Sequence, residues 1–150
     1  MTAYRTIVVG TDGSDSSYVA VDKAASLAAD AGATLYVVCA YYPTDDRDVA
    51  AAADVLKDEA YQVRGSAPTN EILRTARDRA QAAGAKDVVD RAVVGEPVES
   101  LLDLVKQLDA DLLVVGNRGL NTLAGRLLGS VPADVARKSR TDVLIVHTVR

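Results

Sequence analysis

Phenylalanine and tryptophan are both absent from this chain of 150 residues, and tyrosine supplies only six. The core must therefore be assembled from Val, Leu, Ile, Ala and some of those tyrosines. A single cysteine, Cys39, cannot close an internal disulfide, which excludes a disulfide-stapled scaffold and fits a reducing compartment. No basic surplus is present either: the formal net charge is −4, which argues against a broad electrostatic footprint on nucleic acid. Long apolar runs are missing as well. Ile7-Val8-Val9 is too short for a signal-peptide core, and nothing approaches a membrane span. A cytoplasmic protein with neither nucleic acid nor membrane as partner is expected.

What is present is ordinary globular material, 49% hydrophobic and 25% charged, of a size for one domain over residues 1–150. Short β-rich runs alternate with helical patterns. Ile7–Val9 leads into Gly10-Thr11-Asp12-Gly13, and Ser14 caps a helix reaching to about Ala31, stopped by Gly32. Leu35–Val38 is a second strand, closing near Cys39-Ala40-Tyr41. Residues 45–64 carry an alanine-rich, highly charged helical pattern whose place relative to the core is open. Thr69–Ala83 reads as a helix with Ile72, Leu73, Ala76 and Ala80 inward. Asp87–Val94 reads as an edge strand because Asp87, Asp90 and Arg91 break its apolar run. Pro97 opens a helix with Val98, Leu101, Leu102, Val105 and Leu108 on one face, and Thr141–Val149 is the last strand. Strands separated by helices predict βα units and a mostly parallel sheet covered on both faces.

The densest signal lies between Leu112 and Pro132. An apolar run stops at Gly116, Gly119 follows, and Gly129-Ser130 opens another helical segment running to about Arg140. Glycines let backbone N–H groups approach an anion closely, and a helix N-terminus adds free donors and partial positive charge. Arg118 and Arg126, within this stretch, flank the proposed phosphate site with groups suited to phosphate oxygens. The same glycines could merely turn the chain, and the residue types alone leave both readings open.

The spacing G-x2-G-x9-G-[ST], filled by Gly116, Gly119, Gly129 and Ser130, resembles the nucleotide-binding signature of the universal stress protein family. The resemblance extends to Val9-Gly10-Thr11-Asp12-Gly13-Ser14, to Val94-Gly95-Glu96-Pro97 and to Asp142-Val143-Leu144-Ile145-Val146. It implies a Rossmann-like α/β fold with a five-stranded parallel sheet in the order 3-2-1-4-5. It implies an adenine-nucleotide site, for ATP or cyclic AMP, at the carboxyl ends of strands one and four, where open α/β sheets bind ligands. Carried over to this chain, the site comprises Gly10, Thr11, Asp12, Ala40, Gly116, Asn117, Arg118, Gly119, Gly129, Ser130 and Val131. Asp12 would meet the ribose or base, and Ala40 would offer backbone groups to adenine. Mg2+ would accompany ATP. The resemblance also puts the apolar run Val143–Val146 at a sheet edge, where a homodimer would pair strand 141–149 with its copy.

Other chemistry is less well served. No G-x4-G-K-[ST] motif is present, and the dinucleotide G-x-G-x-x-G pattern is missing after strand one. Asp12 stands where a PP-loop pyrophosphatase needs glycine, and Val93-Val94-Gly95 stands where a receiver domain needs an aspartate. His147, the only histidine, has no partner at metal-ligand spacing and is read as structural, on the last strand and far from the crevice. A regulatory or nucleotide-buffering role in stress response or signalling is expected. A slow nucleotide hydrolase and a nucleotide-independent dimeric interaction module stay open as alternatives.

Overall fold

The computed structural model describes residues 3–42, 66–117 and 130–148. Five strands form one parallel sheet: β1 (Thr6–Gly10), β2 (Thr34–Tyr41), β3 (Asp87–Val94), β4 (Leu112–Gly116) and β5 (Asp142–Val146), in the order β3-β2-β1-β4-β5. Four helices among the described residues cover it: α1 (Asp15–Ala31), α2 (Ser66–Ala82), α3 (Pro97–Leu108) and α4 (Ser130–Lys138). The expected sheet order and parallel pairing are both present. Strand five ends at Val146 rather than Val149, and β2 runs longer than its apolar core. The alanine-rich segment 45–64 lies outside the described residues.

Alternation along each strand sends neighbouring side chains to opposite faces. Ile7 and Val9 of β1 join Leu35, Val37 and Val114 beneath α1 and α2, whereas Val8 joins Val38, Leu113 and Val115 beneath α3 and α4. Without Phe or Trp, the first layer is closed by small helix faces, Ala20, Ala24 and Ala28 on α1 and Ala76 and Ala80 on α2. The central strands β1 and β4 are buried on both faces, as parallel sheets require. β3 is exposed at Asp87, Asp90 and Arg91, which suits its edge position.

The ends of the elements are chemically marked. Ser14 Oγ accepts from the Ser17 N–H at 3.1 Å, and Gly32 terminates α1 in the left-handed region at φ 66°. Glu96 caps α3, accepting from Val98 N at 3.0 Å and Glu99 N at 2.8 Å, with Pro97 in the first turn. Asp111 ties the start of β1 to β4 by accepting from the backbone of Arg5 and Thr6 at 2.9 and 3.1 Å. Because α1 leaves β1 on one face while α4 follows β4 on the other, a crevice opens between their carboxyl ends.

Candidate functional site

The crevice is open to solvent and has a cavity volume of about 40 Å³ at its base. Its floor comes from strand ends: Gly10 of β1, Val38 and Ala40 of β2, and Val115 and Gly116 of β4. Pro97 and Leu101 of α3 make one apolar wall, and Thr11, Ser16 and Ser17 make the hydroxyl-bearing side. Apolar surface with a few convergent polar groups suits a flat heterocycle with a polar substituent.

The turn from β1 to α1 is held by its own side chains. Gly13 N–H donates to Thr11 Oγ1 at 3.1 Å, and Ser17 Oγ donates to the Ser14 carbonyl at 2.8 Å. Ser17 thus has its proton committed, so the 2.7 Å contact between Thr11 Oγ1 and Ser17 Oγ is donated by Thr11. Thr11 N–H closes the loop onto the Val38 carbonyl at 2.9 Å. Asp12 Oδ1 accepts from Ser14 N at 3.0 Å, a turn-stabilising bond, while Oδ2 takes no hydrogen bond from the described residues. Gly13 itself sits at φ +86°, a conformation only glycine adopts readily.

Cys39, just before Ala40 on β2, is fully buried. Burial, with a smaller push from the Asp12 carboxylate, raises its thiol to about 12. A thiol so raised stays protonated and acts as a small hydrophobe.

Of the residues expected at a binding site, Gly10, Thr11, Ala40 and Gly116 line the crevice. Asp12 lies beside it in the same turn. Asn117 follows Gly116, but its side chain is directed to the segment leaving β5: Oδ1 accepts from Thr148 N at 2.8 Å. Ser130 and Val131 fall in the first turn of α4. Arg118, Gly119, Arg126 and Gly129 lie outside the described residues. Sequence reasoning missed Ser16, Ser17, Pro97 and Leu101. The serines were legible as neighbours of the turn, whereas Leu101 carries only a core-like helical spacing.

One expectation is corrected. His147 is not far from the crevice: its Nδ1 lies 3.2 Å from Asn117 Nδ2. The reason is register. β4 and β5 are parallel, Gly116 stands opposite Val146, and the residues that follow each emerge together at the carboxyl end.

The model described as "Universal stress protein family" matches residues 3–147. The chain is 59% identical over 148 residues to universal stress protein Rv1636 of Mycobacterium tuberculosis strain H37Rv, covering 99% of each. It is similar to the crystal structure of a universal stress protein in complex with cAMP, with a TM-score of 0.77 and 53% identity over 99% of this chain and 100% of that one. It is also similar to the universal stress protein from Archaeoglobus fulgidus in complex with dAMP, with a TM-score of 0.68 and 26% identity over 95% and 97% of the two chains.

Proposed function

The chain belongs to the universal stress protein family, and on that premise we propose that it binds an adenine nucleotide in the crevice between β1 and β4. The observation that carries this reading is the meeting of Gly10, Ala40 and Gly116 at one opening, on a fold whose similar structures hold cAMP and dAMP. Adenine lies against Pro97 and Leu101 and takes backbone hydrogen bonds near Ala40. Asp12 Oδ2 serves the ribose. Phosphate is received by backbone donors of Gly116, Gly119, Gly129, Ser130 and Val131, with Arg118 as counter-charge. Thr11 contributes by shape and backbone, since its hydroxyl is committed to Ser17.

Both neighbouring ligands carry a single phosphate, which favours cyclic AMP over ATP as the tighter ligand. Mg2+ is needed only to accompany ATP. The protein binds without efficient turnover and works as a regulatory or buffering module in the cytoplasm, with residues 1–150 as one domain. It dimerises by pairing β5 with its copy: β5 is a sheet edge, and Ile145 is 43% exposed on it. Among the described residues no helix is long and apolar enough to cross a membrane.

Calorimetric titration with cyclic AMP and with ATP, with and without Mg2+, beside steady-state phosphate release, tests the reading. Tighter binding of cyclic AMP and negligible release are expected. Absence of binding by either nucleotide refutes it, and turnover of about 1 per second or more makes the protein an enzyme.

A further inference from the structure

The Asn117 side chain stands next to the crevice but spends its polar groups elsewhere. Its Oδ1 accepts from Thr148 N at 2.8 Å and from Thr148 Oγ1 at 3.0 Å, filling both lone pairs. A backbone N–H can only donate, so this contact fixes which end of the amide is oxygen. Nδ2 therefore donates to His147 Nδ1 at 3.2 Å, and that ring nitrogen carries no proton. Asn117 N–H, in turn, extends the strand ladder to the Val146 carbonyl at 2.8 Å. Thr148 passes the chain on. With its hydroxyl proton directed to Asn117, it accepts from Ser16 Oγ in the first turn of α1. Its methyl also covers Gly116: a Cβ placed there would stand 3.3 Å from Thr148 Cγ2. Ser16 and Gly116 both line the crevice, and Thr148 backs them both.

We propose that Asn117 is a positioning residue: by clipping His147 and Thr148 behind the crevice, it fixes where Ser16 and Gly116 stand for the nucleotide. The inference rests on the nucleotide reading above. It joins three elements that share no backbone continuity, β4, α1 and the segment after β5, through four side chains. It also gives the residues following β5 a part in binding.

Calorimetry with cyclic AMP, together with 15N NMR of His147 Nδ1 and circular dichroism, tests it on four variants. Asn117→Ala and Thr148→Val should each weaken binding about tenfold, the loss expected from a part-buried hydrogen-bond pair. Thr148→Ser, which keeps the hydroxyl, should restore binding to within about twofold. The Asn117→Ala/Thr148→Val double variant should be little worse than either single one, because both break one chain. The Nδ1 resonance should move in Asn117→Ala and stay put in Thr148→Ser, all with unchanged circular dichroism. A loss in Asn117→Ala with none in Thr148→Val would make Asn117 a direct ligand contact and overturn the proposal. So would additive losses, or wild-type affinity in Asn117→Ala. If the wild-type protein binds neither cyclic AMP nor ATP while the His147 signal still responds, the nucleotide reading is what failed, and the clip serves structure alone.

Discussion

Replacing Gly13 by alanine should cost the protein about 2–4 kcal/mol, and the sum can be taken apart. Gly13 holds φ at +86° between Asp12 and the cap residue Ser14. A residue with a Cβ gives up roughly 1–2 kcal/mol in that left-handed region. The new Cβ would also stand 2.8 Å from Ile72 Cγ1 and 3.0 Å from its Cδ1. Overpacking of this kind costs about 1–3 kcal/mol, and Ile72 can yield only in part because it packs against the core under α1 and α2. The stiffer unfolded chain returns about 0.4–1 kcal/mol, which leaves the stated net. Thermal unfolding at fixed protein concentration should show a midpoint lowered by roughly 5–15 °C, at about 2–4 °C per kcal/mol for a chain of this size. Introducing the same change into an Ile72→Ala background removes the clash and should leave only the backbone part less the unfolded-chain gain, at most about 1.5 kcal/mol. A Gly13→Ala protein within about 0.5 kcal/mol of wild type would refute the claim that this turn demands glycine. An unchanged cost in the Ile72→Ala background would refute the steric half alone.

Ser14→Ala removes the acceptor for Ser17 N and should destabilise by about 1 kcal/mol in urea titration; no change would show that α1 is capped otherwise. Cys39 should lower stability on the alkaline side. Its thiol ionises near 9 in the unfolded chain but only near about 12 when folded, so above pH 9 the native state binds the extra proton and stability falls up to about pH 12. Cys39→Ala should flatten that part of the pH–stability curve, and an identical curve would contradict the burial argument. Ile145→Pro at an exposed position of β5 should yield monomers in light scattering, since proline removes a donor from the pairing edge; a surviving dimer moves the interface elsewhere.

Much of this architecture is legible in local chemistry. Ser14, Gly32 and Pro97 each mark the helix boundary that their residue types suggest, and the charges of β3 reveal its edge. Periodicity does not give strand order, because buried parallel strands read alike; that came with the family resemblance. The Glu96 cap was missed because glutamate is not among the usual capping residues. The placement of His147 failed for a different reason. Its position depends on the β4–β5 register, a contact between residues 30 apart that leaves no mark on either segment. Leu101 reaches the crevice by the same kind of long-range assembly, pressing against Gly10 across the layer. Gly119 and Gly129, two of the signature's three glycines, lie outside the described residues.

The central claim is that an adenine nucleotide occupies the crevice at the carboxyl ends of β1 and β4. Mapping backbone amide shifts by NMR during titration with cyclic AMP tests it most directly. The largest saturable changes should fall on Gly10, Thr11, Ala40 and Gly116, the residues that meet there. Shifts centred instead on the groove between the ends of α3 and α4, at Lys106, Lys138 and Arg140, would contradict the claim, as would no shifts at all.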